Sequence, residues 1–118
     1  VASLREVLSD LIKVEGVKTA VVVGRDGFVI DGVSRSTTLD TEALGAVIST
    51  GIGSSEVMGS ELGVGEMTQG LLEFKGGLIV MGLVGRDAIV SLVADVGANL
   101  GNVRYQLKKR VPDLEKAL

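Results

Sequence analysis

The chain has 118 residues, with no cysteine and no histidine, a single proline and only three aromatic side chains. Without cysteine there is no disulfide and no thiol nucleophile. Without histidine as well, zinc sites of the usual kind and imidazole acid–base catalysis are excluded. The scarcity of aromatics, limited to Phe28, Phe74 and Tyr105, leaves a core built of Val, Leu and Ile packed against glycine. No apolar run approaches the ~18 residues needed to cross a membrane as a helix; the best candidate, Leu78 to Val84, has the length of a strand. An excess of basic residues is also missing: the formal charge is −3 and the pI about 4.9. A nucleic-acid binder needs a basic face, so this balance argues against one. The composition suits the reducing cytoplasm. No signal-peptide pattern is visible, and because the chain starts at Val1, a native N-terminus extending before it is left open.

What is present is aliphatic. The apolar fraction is 46% and the mean hydropathy +0.44. The length allows one domain, residues 1–118, and one sizeable core. So much apolar surface on so small a body predicts that a second subunit covers part of it.

The most unusual stretch is Leu39 to Leu62. Leu44, Val47, Ile48, Ile52 and Leu62 recur at helical spacing and are expected to line a buried face. Gly45, Ser49 and Gly53 are spaced four apart, as are Gly51, Ser55 and Gly59, so two stripes nearly devoid of side chain run along the helix. Each helical glycine costs roughly 1 kcal/mol relative to alanine, and close approach of another backbone explains the expense. A helix, a glycine loop and a second helix is the alternative reading. Gly51-Ile52-Gly53-Ser54-Ser55 resembles half a phosphate loop, but it lacks a preceding buried strand and a Lys-Ser/Thr ending.

Around this stretch the elements follow in order. Ser3-Leu4-Arg5-Glu6 forms a capping box. It opens a helix whose stripe is Leu4, Val7, Leu8, Leu11 and Ile12, with Gly16 placed to end it. Val17 to Gly24 reads as a strand, Asp26-Gly27 as a hairpin turn and Phe28 to Val33 as the return strand. Asp26 and Asp31 invite a metal, but Asp-Gly serves turns for backbone reasons and further oxygen ligands are missing. Ser34 to Thr38 is a polar link, with Thr38 or Asp40 capping the central helix and Gly63 and Gly65 closing it. Glu66 to Phe74 has the glycine and charge of an edge strand. After Gly76-Gly77, Leu78 to Val84 is apolar on both faces, as an interior strand is. Gly85-Arg86-Asp87 turns into Ala88 to Ala94. Asp95 to Asn99 leads to a last helix with Leu100, Val103, Leu107 and Val111 inside. Arg104, Lys108, Lys109 and Arg110 cluster toward its C-terminal end, where they complement the helix dipole; a basic patch for an acidic partner is the functional alternative. Pro112 is expected to stop or kink this helix and to leave 113–118 as a frayed turn.

An enzyme here needs Ser–Lys, paired carboxylates or a carboxylate-bound metal. Ser54 and Ser55 have no evident base, since Lys75 falls on another element. Glu42, Glu56, Glu61 and Glu66 are spread along a helix and its exit. No catalytic, cofactor or metal residue is assigned, and the expectation is a non-enzyme.

The order helix, hairpin, long helix, three-strand meander, helix resembles the roadblock/dynein light-chain family over nearly the whole chain. The likeness rests on Gly24-Arg25-Asp26-Gly27, on Glu42-Ala43-Leu44-Gly45-Ala46 and on Glu61-Leu62-Gly63. Above all it rests on Asp95-Val96-Gly97-Ala98-Asn99-Leu100-Gly101-Asn102-Val103-Arg104, whose Asn-Leu-Gly run is typical of prokaryotic members. The resemblance implies an α+β fold of profilin-like/roadblock type, α-β-β-α-β-β-β-α, with about five antiparallel strands. The long helix lies on one face of the sheet and two helices on the other. It also implies a non-catalytic homodimer in which two sheets join through the third strand, with the paired central helices across one face. On this basis the dimer and partner interface is expected at Gly45, Ile48, Ser49, Ile52, Gly53, Glu56, Met67, Gln69, Leu71 and Glu73. Prokaryotic relatives are similar to modulators of small Ras-like GTPases, acting on nucleotide state or hydrolysis; others serve as dynein light chains or membrane-scaffold subunits. Arg25, Arg35 and Arg86 lie in turns or links, and none is assigned as a catalytic finger. A cytoplasmic, cofactor-free GTPase regulator or scaffold is therefore expected, without nucleic acid or direct membrane insertion. Two other readings are a small-molecule sensor of PAS or profilin-like type and a purely structural assembly subunit.

Overall fold

A computed structural model describes residues 2–35 and 41–118, with the backbone alone at 41 and 42. The elements are α1 (Leu4–Leu11), β1 (Val17–Gly24), β2 (Val29–Ser34), α2 (Thr41–Glu61), β3 (Gln69–Phe74), β4 (Gly77–Val84), β5 (Ala88–Ala94) and α3 (Leu100–Ala117). Thr38 and Asp40, the expected caps of the central helix, lie outside the described residues. The strands form one antiparallel sheet in the order β2-β1-β5-β4-β3. The expected fold class is the observed one.

Side-chain alternation sends the strands' apolar residues to two layers. Ala20, Val22, Val80, Val90 and Leu92 meet Val7, Leu8 and Leu11 of α1 and Val103, Leu107 and Leu114 of α3. Val21, Val23, Met81 and Ile89 point the other way, toward Ile48 and Ile52 of α2. Strands covered on both faces read as continuous apolar runs, as β1 and β5 do, and β4 is as apolar. The capping box of α1 is formed, with the Glu6 amide donating to Ser3 Oγ at 3.2 Å and the Ser3 amide to Glu6 Oε1 at 3.4 Å.

Several expectations need correction. Gly16 has φ +90° but does not end α1, which stops at Leu11. It sits instead where a Cβ would come within 2.5 Å of Ala98 Cβ, so its bareness lets the chain pass the lead into α3. The first hairpin has a longer loop than a two-residue turn. Phe28 lies in that loop and is exposed, its carbonyl accepting from the Gly24 amide at 2.8 Å, and β2 starts at Val29. The third strand starts at Gln69 rather than Glu66.

Pro112 neither stops nor breaks α3, which runs through it to Ala117. The proline forfeits one backbone hydrogen bond on the exposed side, while Leu114 beyond it is fully buried against the sheet, a gain of about 1.5–3 kcal/mol. The basic cluster therefore lies mid-helix. Arg110 turns back to Asp10 of α1 at 3.1 Å and to Asp113 at 3.0 Å rather than serving the helix end.

Candidate interaction surface

The central helix is continuous over 21 residues, so the helix–loop–helix alternative falls. Its C-terminus closes as foreseen around Gly63, at φ +70°. The Val64 amide reaches the Gly59 carbonyl at 3.0 Å and the Gly63 amide the Ser60 carbonyl at 3.2 Å, the paired bonds of a Schellman cap.

The inner face of α2 is narrower than its pattern suggests. Ile48 and Ile52 are buried and Leu44 is partly so. Val47 and Leu62, expected inside, are 67% and 75% exposed. One hundred degrees per residue puts Val47 about a third of a turn off the Ile48–Ile52 line, and among the described residues no other element covers that flank.

Three contacts seat the helix over β1, β2 and β5. Gly45 lies directly on the first hairpin: a Cβ there would collide with the Gly27 carbonyl oxygen and stand 3.2 Å from the Val29 amide nitrogen. Ser49 Oγ donates to the Arg25 carbonyl at 3.1 Å. The Arg25 guanidinium forms a fork on Glu56, with Nη1 to Oε1 at 2.6 Å and Nη2 to Oε2 at 2.9 Å, and gives its Nε–H to the Arg86 carbonyl at 2.7 Å. The arginine thus ties α2 to the β1–β2 and β4–β5 turns. Its hydrogen bonds hold the Glu56 carboxylate below the usual range, against a smaller opposing effect of desolvation. Glu56 in turn holds the guanidinium more firmly charged.

This seating leaves the other half of the same sheet face uncovered. Pairing of Gly70 with Met81 and of Leu72 with Ile79 turns Leu72 and Phe74 to the α2 side, while Gln69, Leu71 and Glu73 face the α3 side. Between the C-terminal half of α2 and β3 lies a groove of about 510 Å³, lined by Gly51, Ser55 and Gly59 of the helix and by Met58, Leu62, Met67, Leu72 and Met81. Of thirteen large exposed hydrophobic side chains among the described residues, eight fall between Val47 and Phe74. The concentration of apolar surface in one region, beside an edge strand, makes this the candidate interaction surface.

The ten expected interface residues divide into groups. Gly45, Ile48 and Ile52 are buried within the chain: the bare Gly45 backbone lies on the hairpin, and the two isoleucine side chains face the sheet rather than an outer surface. Ser49 and Glu56 are half-buried and engaged with Arg25. Gly53 is open, with nothing within 4 Å of a Cβ built there. Met67 lines the groove, Leu71 and Glu73 lie exposed on β3, and Gln69 exchanges hydrogen bonds with Arg104 of α3. The sequence reading did not place Met58, Leu62, Leu72 and Phe74 on this exposed apolar region. The signal was present in β3 as the alternation that separates Leu72 from Leu71.

Nothing among these groups forms a reacting constellation. Ser55 donates its hydroxyl to the Gly51 carbonyl at 2.8 Å, a bond within the helix. Asp26 accepts from the Phe28 amide, shaping the turn, and Asp31 accepts a fork from Arg5. Among the described residues no three carboxylates gather to hold a metal, and no helix is long and apolar enough to cross a membrane.

A long small-residue helix over half of a five-stranded antiparallel sheet, with two helices behind it, defines a roadblock-type domain. A family model for the Roadblock/LC7 domain matches residues 4–94, and the chain belongs to that family. It is similar to the Methanocaldococcus jannaschii protein MJ0310, at 36% identity over 112 residues, covering 95% of this chain and 96% of that protein. The structure of Myxococcus xanthus MglB shares the fold, with a TM-score of 0.89 at 22% identity over 96% of this chain and 92% of that one. A Roadblock/LC7 domain from Streptomyces avermitilis also shares it, with a TM-score of 0.88 at 19% identity over 98% and 97% of the two chains.

Proposed function

We propose that the chain is a non-catalytic, cytoplasmic homodimeric platform that binds a small Ras-like GTPase and modulates its nucleotide state or hydrolysis. The observation that carries this reading is the uncovered apolar half-face beside the free edge of β3. A second copy pairing with that edge continues the sheet, and its α2 comes to lie beside the first across the same face. Leu72, Phe74, Met58 and Leu62 then become interior. The bare flank at Gly53 lets the partner approach closely, while Gly45, Ile48, Ser49, Ile52 and Glu56 set the height and angle of the helix beneath. The GTPase docks on the composite surface of the two central helices.

The test is in two stages. Solution mass decides whether the dimer exists. Titration of a purified Ras-like GTPase from the same organism, followed by its hydrolysis rate, decides the partner. Saturable binding that depends on Gly53 and on the α2 surface supports the reading; a dimer that neither binds nor alters such a GTPase leaves a structural assembly subunit.

The groove itself favours a second reading. At about 510 Å³ it has the size of a small-molecule site, and a sensor role predicts a saturable ligand that raises the melting temperature of the protein. Few polar groups converge on it, so the protein partner is the stronger reading.

A further inference from the structure

The sheet face opposite α2 carries a second concavity, which reaches the β3 edge at Gln69. A groove of about 350 Å³ lies between α3 and β3–β4, with Gly82, Val111 and Pro112 on its apolar side and Gln69, Arg104 and Lys108 on its polar side. Charge is segregated in this chain. Residues 36–74 contain six acidic side chains and no basic one, whereas residues 100–118 contain five basic and two acidic ones.

Three of the five arginines with a described side-chain bond face a carboxylate. Arg5 pairs with Asp31, Arg25 with Glu56 and Arg110 with Asp10 and Asp113, while Arg35 is held on the Ile12 carbonyl. Arg104 differs. Its Nε–H donates to Gln69 Oε1 at 3.1 Å, and Gln69 Nε2 donates back to the Arg104 carbonyl at 3.3 Å. The guanidinium is therefore oriented by a neutral amide that leaves its charge uncompensated and its terminal nitrogens available. Lys108 follows one turn later on the same flank. Neither Arg104 nor Lys108 has a carboxylate within ion-pair distance among the described residues. A pre-oriented guanidinium suits a carboxylate better than a freely rotating one does.

A second feature selects peptide over phosphate. Pro112 has no N–H to give the Lys108 carbonyl, and with Gly82 and Val111 it sets an apolar wall beside the cations. A peptide brings carboxylates and aliphatic side chains together; an inorganic phosphate or a phosphodiester brings only the anion. We propose that this groove docks an acidic segment of a partner protein. Its carboxylates sit on Arg104 and Lys108, and an aliphatic side chain packs on Val111 and Pro112. The site lies on the sheet face opposite α2 and shares β3, through Gln69, with the proposed dimer edge.

The probe is a short end-blocked peptide in which Glu alternates with Leu, compared with the same peptide carrying Gln for Glu. Both are titrated into the full chain at low ionic strength, with fluorescence anisotropy and amide chemical shifts as readouts. Saturable binding of the Glu peptide is expected, at least about tenfold tighter than the Gln peptide, with shifts at Gln69, Gly82 and Lys108. Arg104→Ala and Lys108→Glu should each weaken it roughly tenfold, while Lys116→Glu, which changes the net charge as much as Lys108→Glu but lies away from the groove, should stay within about twofold. Equal binding of the two peptides, equal loss with Lys116→Glu, shifts confined to other surfaces, or no binding would each overturn the proposal. Arg104-dependent binding to phosphatidylserine vesicles without peptide binding would overturn it too, in favour of a membrane surface.

Discussion

The two edges of the sheet are treated in opposite ways. At β2 the edge is flanked by α1 on one face and α2 on the other, and three arginines pin the surroundings: Arg5 on Asp31, Arg25 on Glu56 and Arg35 on the Ile12 carbonyl. At β3 the α2 side of the edge has no helix over it, and the neighbouring side chains are Met58, Leu62, Leu72 and Phe74, all at least 46% exposed. The same helix serves both ends, closed down on β1 and β2 and standing clear of β3. One edge is pinned within the chain, and the other leaves an apolar half-face exposed, the edge that the proposed dimer would cover.

Four experiments break or sharpen this contrast, from the largest expected effect to the smallest. Ile52→Ala removes a fully buried side chain from the closed end and should cost about 3–4 kcal/mol in denaturant unfolding, while Val47→Ala on the open flank should cost less than about 0.5 kcal/mol. Equal costs would mean that α2 is seated differently. Leu72→Asp places a charge on the open half-face. It should weaken self-association at least about a hundredfold, or roughly 2.7 kcal/mol, with little change in the stability of the protomer, measured by analytical ultracentrifugation.

The glycines of α2 provide the third comparison. Gly45→Ala forces a methyl onto the Gly27 carbonyl and should destabilise by about 1–3 kcal/mol. Gly53→Ala meets open space and should stabilise the isolated protomer by up to about 1 kcal/mol through helix propensity. Thermal melts at concentrations below dimerisation distinguish the two.

The smallest effect belongs to the Arg25–Glu56 fork, about a third exposed on either side. Glu56→Gln should cost under about 1 kcal/mol near neutral pH, after screening by solvent. Because Glu56 titrates below its ordinary value of 4.5 in the folded chain, its contribution is complete above that value and disappears as pH falls through the depressed one. Wild type and variant should therefore converge in acid. A difference that persists at low pH would assign the effect to packing rather than charge.

Much of this architecture was legible because local rules wrote it. The capping box, the Asp-Gly turn, the apolar runs of β4 and β5 and the edge character of β3 are short-range signals. The faces of α2 were not legible, for a physical reason: Val47, Ile48, Val57 and Met58 spread apolar side chains over about half the helix circumference, so period alone could not choose between Ile48 and Val47. The course of α3 past Pro112 was hidden because it depends on Leu114 reaching the core, a tertiary gain that overrides a local penalty. The Arg25–Glu56 fork joins residues 31 positions apart and has no local pattern. The burial of Ile48 and Ile52 was legible from their helical spacing, whereas the packing of Gly45 against the Gly27 carbonyl joins distant segments and has no local pattern.

The most direct measurement of the central claim is solution mass by light scattering across concentration. The account predicts a stable dimer of the 12.2 kDa chain that Leu72→Asp converts to a folded monomer. A wild-type chain that remains monomeric at high concentration, with its apolar half-face still exposed, would contradict it.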